Sequence, residues 1–527
     1  MAPPTARKAP LTLAIVTVAT VILVIDLTIV SVGLPAIQRD LGGSLASLQW
    51  VVISYAVAFG ALMQPIGSLS DRLGRREMFL AGIAVFTLAS LACGLAPTSL
   101  FLDIARALQG VGGAMLFANA LPLIAQDYEG QRRNMAIAKW STMLGACGAA
   151  APLVGGVLVD VADWRWMFLI NVPIGALGFA LAWFKLPKVD RVPPTGPIDW
   201  FGVVLFTGSL AVINLAVTRG EEQGWGSPTT LAQIAGGVVL LVVFLLVERR
   251  ASAPIMRLEL FRIPSFVGAV LLSFLSRALT LGTAIYFVLY LQAALGLSAL
   301  ESGLALLPIY LAALPGGMGA GKLQARFAAG HIIAVGFGML AVSAALFSWL
   351  IQPGGDVWPL IAPMILWGLG SGLSTTPLMG VAVNVVPLER AGMASGMANS
   401  LFPIGTAVGT AAFGLAFKAA AGDSVQADTG VPEGSRDTIA QATAEGDLQR
   451  IAEATPAGAG DQVSNAVESA IAHGTSQMTV YAAVVAAVAV VIALVLIRRR
   501  DVVARTPAAA PPEDGAEDGA EKVEKAE

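Results

Sequence analysis

Asp26 is the one ionisable side chain in the apolar run 11–34. A charged carboxylate is costly in hydrocarbon, and removal from water disfavours the charged form of an acid. An acid so placed can take up and release a proton as its exposure changes. That is the chemistry of proton coupling. The alternative is a structural acid, kept protonated or paired with a cation. Arg106 is the natural counterpart. In the apolar stretch 100–122, Asp103, Arg106, Gln109, Gly110 and Gly113 recur at spacings of three and four, which places them on one helix face. A guanidinium there would hold Asp26 ionised when near and release it when the two halves of the protein rock. Otherwise Arg106 reaches for the membrane surface or pairs with Asp103. Gln109 would orient Arg106 or line a cavity. Arg277, within SFLSRALTLG, is a second cation in an apolar run. It lies in the inner half of its helix and would bind anionic groups of a ligand or pair with a cytoplasmic acid.

Such residues need apolar helices to hold them. The chain has 527 residues, 56% hydrophobic and 13% charged, whereas a soluble domain carries about a quarter charged residues. This is the composition of a polytopic, all-α membrane protein. The net charge of −3 says little, because the charges are segregated. A spanning helix takes about 20 apolar residues. Fourteen segments qualify, at 11–34, 48–69, 78–96, 100–122, 136–160, 165–186, 198–218, 229–248, 265–293, 301–322, 331–351, 357–380, 392–418 and 477–497. The first is longer than the core of a signal peptide, about 7–15 residues, and is expected to remain as a span. Lys and Arg cluster in alternate connections: Arg7 and Lys8, Arg72 to Arg76, Arg132 and Arg133, Lys185 to Arg191, Arg249 to Arg262, Lys322 and Arg326, Arg390, Arg498 to Arg500. The positive-inside rule then puts both termini in the cytoplasm, in a multi-pass protein of the cytoplasmic (inner) membrane.

An internal repeat divides the spans. GSLSDRLGRRE (67–77) follows the second segment and GKLQARFAAGH (321–331) follows the tenth, with Gly67, Leu69 and Arg72 matching Gly321, Leu323 and Arg326. Related helical halves about a site at mid-membrane are a transporter pattern. The expected organisation is an N-terminal six-helix bundle (1–186), a linker with two inserted helices (187–250), a C-terminal six-helix bundle (251–500) and a low-complexity, disordered cytoplasmic tail (501–527). The acidic extracytoplasmic stretch 419–475 would hold a short amphipathic helix or be disordered. Cys93 and Cys147 have no metal or redox spacing, and His331 and His473 do not cluster with other ligands. No metal, cofactor, catalytic constellation or nucleic-acid partner is expected. No G-x-x-x-x-G-K-[ST] loop occurs, which argues against ATP as the energy source.

GSLSDRLGRRE closely resembles the signature loop of the major facilitator superfamily, G-x-L-a-D-R-x-G-R-[KR], and lies between the second and third spans, as in that family. RALQGVGGA (106–114) resembles the R-x-x-Q-G motif of its fourth helix. GACGAAAPLVGG (145–156) resembles the fifth-helix motif of its antiporter branch, with Ala151 where that motif has Gly before Pro152. DWRWMFLINVPIG (163–175) is a further match. The first span, with Asp26, Thr28 and Pro35, resembles the pattern l-D-x-T-i-v-N-v-A-L-P of the fourteen-helix drug:proton antiporter group, but has Ser31 for Asn and Gly33 for Ala.

The resemblance implies two six-helix bundles plus two inserted helices, and export of a hydrophobic or amphiphilic drug-like molecule in exchange for protons. It implies a monomer in a lipid bilayer and no enzymatic activity. Asp26 and Arg106 would couple protons, and Gln109, Asp103 and Arg277 would line the substrate cavity. Gly67, Asp71, Arg72, Gly74, Arg75 and Arg76 would form a cytoplasmic gate, with Asp71 facing the start of the thirteenth helix near Glu389–Ala394. Gly145, Gly148, Pro152, Gly155 and Gly156 would pack the fifth helix closely, sealing the interface against leak. Gly392, Gly396, Gly405 and Gly409 form a similar face. With Asp26 the sole acid near mid-membrane, neutral or monocationic substrates are favoured. Two alternatives remain: a dedicated exporter of one endogenous metabolite, and an envelope lipid or lipoprotein export partner acting through 419–475.

Overall fold

The computed structural model describes residues 9–42, 50–128, 130–187, 199–224, 226–251, 256–386, 391–446, 448–456, 459–498 and 501. The expected linker 187–197 and the tail beyond 501 lie almost wholly outside them. Among the described residues eleven helices are long and apolar enough to cross a membrane. Three more, of 33, 32 and 24 residues, occupy the places of the first, fifth and twelfth expected spans. The arrangement is compatible with fourteen spans.

The helices are α1 (Ala9–Leu41), α2 (Trp50–Leu73), α3 (Arg75–Gly94), α4 (Ser99–Asp127), α5 (Gly130–Val161), α6 (Trp166–Lys185, interrupted at Ile170), α7 (Trp200–Gln223) and α8 (Pro228–Glu248). They continue with α9 (Pro264–Ala294), α10 (Ala299–Leu323), α11 (Ala329–Leu350), α12 (Ile361–Asn384), α13 (Ala391–Ala427), α14 (Glu433–Glu445), α15 (Leu448–Ala454) and α16 (Gly460–Leu496). Local chemistry sets several starts. Thr98, Asp199 and Ser227 cap α4, α7 and α8 by accepting backbone N–H bonds, and Ser298 with Glu301 forms a reciprocal capping box on α10.

The repeat read from the sequence has a packing counterpart. In the N-terminal half α1 packs on α5, α2 on α4, and α3 on α4 and α6. In the C-terminal half α9 packs on α13, α10 on α12, and α11 on α12 and α16. α16 therefore takes the sixth place. The halves meet where α2 lies along α13 and α5 lies along α10. Exchanging the halves turns one seam into the other. The inserted α7 and α8 pack on each other, and α7 lies against α2 and α13, where Asn214 Nδ2 donates to the Ala56 carbonyl at 3.3 Å.

The stretch 419–475, left open by the sequence, is mostly helical where it is described, with short turns at 428–432, 446 and 455–456. α13 and α16 are each 37 residues long, about 55 Å at 1.5 Å per residue, well beyond a hydrocarbon core of about 30 Å. Their surplus, with α14 and α15, forms a folded cap. Val431, Ile439, Ala442 and Ile451 are buried in one apolar cluster with Phe417, Val425, Val463 and Val467.

The side of the protein that bears the α2–α3 junction, the start of α13 and the end of α16 carries most of the Lys and Arg among the described residues. It is called the basic face below.

Candidate functional site

Asp26 lies beyond the midpoint of α1, and Arg106 eight residues into α4, so both sit in the half of the membrane away from the basic face. They meet directly. Arg106 Nη1 donates to Asp26 Oδ2 at 2.5 Å, with the two side chains 1% and 0% exposed. Arg106 Nη1 also donates to Gln109 Oε1 at 2.7 Å, and Arg106 Nε to the Val51 carbonyl at 3.0 Å. Gln109 Nε2 donates to Asp26 Oδ1 at 2.9 Å and to Ser90 Oγ at 2.7 Å. Asn171 Nδ2 donates to Asp26 Oδ1 at 3.1 Å. The guanidinium lies over the Tyr55 ring at 4.3 Å and near the Phe168 ring at 5.6 Å, so its faces rest on aromatic quadrupoles.

The network is internally consistent. A flipped Gln109 amide would set its oxygen against the carboxylate and its NH2 against the guanidinium, placing like against like. Among the described residues, every group that reaches Asp26 is a donor: one to Oδ2 and two to Oδ1. The site as built therefore fits an ionised carboxylate. A proton on either oxygen turns an acceptor into a donor and breaks at least one of these bonds. One proton there would disturb contacts among side chains of α1, α4 and α6.

The sequence left Arg106 with three choices, and the geometry makes one of them. The side chain neither reaches the membrane surface nor contacts Asp103. Asp103, one turn nearer the start of α4, is half-buried, and its Oδ1 has no hydrogen-bond partner among the described residues. Asp26 and Arg106 both belong to the N-terminal half, so rocking of the halves cannot by itself part them. Separation has to come from protonation or from shifts among α1, α4 and α6.

Asn171, Ser90, Tyr55 and Phe168 were not singled out from the sequence. Asn171 had a signal, a lone amide in WMFLINVPIG, and the break in α6 at Ile170 turns it inward. Ser90 had none, because a serine in ASLACG also reads as packing.

The glycines of α5 hold the helix that carries Asp26. A Cβ on Gly148 would come within 3.1 Å of Val24, and one on Gly155 within 2.7 Å of Ile29, so the close approach brackets Asp26. Gly145 faces open space. The side chains of Pro152 and Gly156 lie outside the described residues. The seam with α10 instead brings Gly317 against Thr142. In the other half, Gly405 and Gly409 approach α9 at Arg277 and Ala278 in the same manner. Arg277 thus stands on α9 at nearly the place that Asp26 has on α1, in the opposite half and away from the Asp26–Arg106 pair. Gly396 serves the α2–α13 seam, against Met63 and Gln64.

At the basic face Asp71 joins the halves. Its Oδ1 accepts from Arg75 Nε at 3.0 Å and Nη2 at 2.9 Å, and its Oδ2 accepts from the Met393 backbone N–H at 2.9 Å. Met393 is in the first turn of α13, where N–H groups lack helical partners and the dipole is positive. Gly74 makes the one-residue turn before α3 at φ 104°, a backbone conformation that suits glycine. Arg76 donates to the Leu186 and Trp183 carbonyls at the end of α6, at 3.0 and 2.6 Å. Gly67 is buried and Arg72 half-buried. Two further bonds cross between the halves here: Gln131 Nε2 to the Gly321 carbonyl at 2.5 Å, and Arg133 Nη1 to Asn384 Oδ1 at 3.4 Å. Three hydrogen bonds among the described residues thus join the halves on this side. Glu389, in the stretch expected to face Asp71, lies outside the described residues.

Comparison with known proteins comes to the same architecture. A sequence profile described as Major Facilitator Superfamily matches residues 16–410. The chain is 34% identical over 419 residues to the tetracenomycin C resistance and export protein of Streptomyces glaucescens, covering 78% of this chain and 76% of that one. It is 32% identical over 483 residues to the multidrug efflux pump LfrA of Mycolicibacterium smegmatis, covering 91% and 95%. The crystal structure of the human organic anion transporter MFSD10 superposes with a TM-score of 0.59 at 11% identity, covering 93% of this chain and 100% of that one, a likeness of fold.

Proposed function

The chain belongs to the major facilitator superfamily, and from that premise we propose that it exports hydrophobic or amphiphilic drug-like molecules across the cytoplasmic membrane in exchange for protons. The basic face is the cytoplasmic side, by the positive-inside rule, and both termini lie there. The observation that carries the reading is the buried Asp26–Arg106 pair with its all-donor surroundings.

A proton taken up from the outside forms an O–H bond on an Asp26 oxygen. It cancels the carboxylate charge, and Arg106 keeps the Gln109 and Val51 oxygens and its two aromatic faces. The changed packing passes to α5 through the Gly148 and Gly155 contacts, and α5 lies on the seam with α10. The cytoplasmic closure made by Asp71, Gln131 and Arg133 then opens, substrate enters, and loss of the proton to the cytoplasm restores the pair. An occupied Asp26 leaves little negative charge for a cationic substrate, since such a substrate would compete with Arg106. Neutral molecules fit best.

The relatives include a protein named for a single antibiotic and one named for multidrug efflux. Dedicated export of one compound is the second reading. Efflux of a dye and of a set of unrelated antibiotics from cells lacking other pumps tests both. Proton-coupled multidrug export predicts several substrates, with efflux abolished by an uncoupler. Efflux insensitive to the uncoupler would defeat the coupling.

A further inference from the structure

We propose a binding site for an anionic phospholipid of the inner leaflet in the cleft between α1 and the start of α5. A cavity of about 230 Å³ opens there, floored by Leu13, Met135 and Ala136 and edged by Tyr128, Arg132 and Lys139. Arg132 and Lys139 are seven residues apart on α5, two turns along one face. Both are exposed, and neither has a hydrogen-bond or ion-pair partner among the described residues. The positive-inside rule accounts for Arg132 at the helix end. It does not account for Lys139, which lies nine residues into α5, about 13 Å along its axis. A lysine at that depth, over an apolar floor, must extend toward the headgroup layer.

Two cations, a tyrosine hydroxyl and an apolar floor complement a phosphate carrying acyl chains. A basic pocket between spanning helices on the cytoplasmic side is the usual form of such a site. The nearby Asp127 carboxylate is taken by the Thr12 hydroxyl at 2.5 Å, which also ties α1 to α4 below the cleft. Gln131, which also lines the cavity, makes the bond to Gly321 that joins the halves on the cytoplasmic side. A lipid in the cleft would steady the end of α5 that makes this contact.

The site rests on the reading that the basic face is cytoplasmic, which labelling of single cysteines in intact cells checks separately. Binding is measured on the full chain in detergent by native mass spectrometry, with phosphatidylglycerol against phosphatidylcholine, and requires no transport. The wild type should prefer phosphatidylglycerol by about tenfold or more. R132Q/K139Q should lose that preference, and the charge-keeping R132K/K139R should retain it. Preference unchanged in R132Q/K139Q would overturn the site. So would displacement of the lipid by millimolar inorganic phosphate, which would mark a site for soluble anions. If cysteine labelling instead put the basic face outside, the export orientation would fail while the binding result stood.

Discussion

Removing one member of the Asp26–Arg106 pair should harm folding more than removing both. R106Q leaves a carboxylate at zero exposure with amide donors alone, and an orphaned buried charge costs about 3–5 kcal/mol. D26N/R106Q leaves a neutral, hydrogen-bonding set. Thermal unfolding in detergent should place the double variant nearer the wild type than R106Q. Tyr55 makes a different case. Its ring supports the guanidinium, while its hydroxyl is buried with no hydrogen-bond partner among the described residues. Y55F keeps the ring and removes an unpaired group, so stability should change by less than about 1 kcal/mol. Asp26, Arg106 and Gln109 were readable as chemistry because each is a polar exception in an apolar run. Ser90 and the Val51 carbonyl were not, because a small hydroxyl or a backbone oxygen gains its role only when another helix arrives.

The helices carry their own predictions, and α5 gives a matched pair. G155A would force a methyl to within 2.7 Å of Ile29, whereas G145A enters open space. Overpacking costs about 1–3 kcal/mol, while Ala for Gly within a helix gains about 1 kcal/mol. G155A should unfold at lower temperature and G145A should not. At the cytoplasmic closure Asp71 acts as a cap supplied from another helix. D71N removes a charged acceptor from the start of α13, where such a bond is worth about 1.5–3 kcal/mol. In a protein lacking Cys93 and Cys147, a cysteine placed at Thr142 on the α5–α10 seam should then be alkylated from the basic side up to about tenfold faster. An unchanged rate would show that Asp71 does not hold this side shut. The repeat made the seams foreseeable, since GKLQARFAAGH stands in for GSLSDRLGRRE. It did not foretell that α5 turns its glycines toward α1, because a run of small residues does not name the helix it packs on.

At the scale of the whole molecule two halves with matched packing carry unmatched chemistry. One holds the acid–guanidinium network and the other holds Arg277 at the corresponding place. The cap adds a second asymmetry, and it shows where sequence reading stopped short. Val463, Ala466, Val467 and Ala470 have helical spacing in DQVSNAVESAIAHG, yet the acids and small residues around them also suit a disordered loop. Burial against Phe417 and Val425 resolves this in favour of helix. Excising 428–459 would therefore expose part of the core of the C-terminal half. Charge reversal on the outer surface of the cap is the better way to separate a partner-binding role from transport.

The central claim is that Asp26 carries the coupled proton. Its most direct measurement is substrate-driven proton movement in proteoliposomes holding the wild type or D26N. The wild type should move protons against an opposing substrate gradient. D26N, folded and still able to bind substrate, should move none. Equal proton movement by D26N and wild type would contradict the assignment.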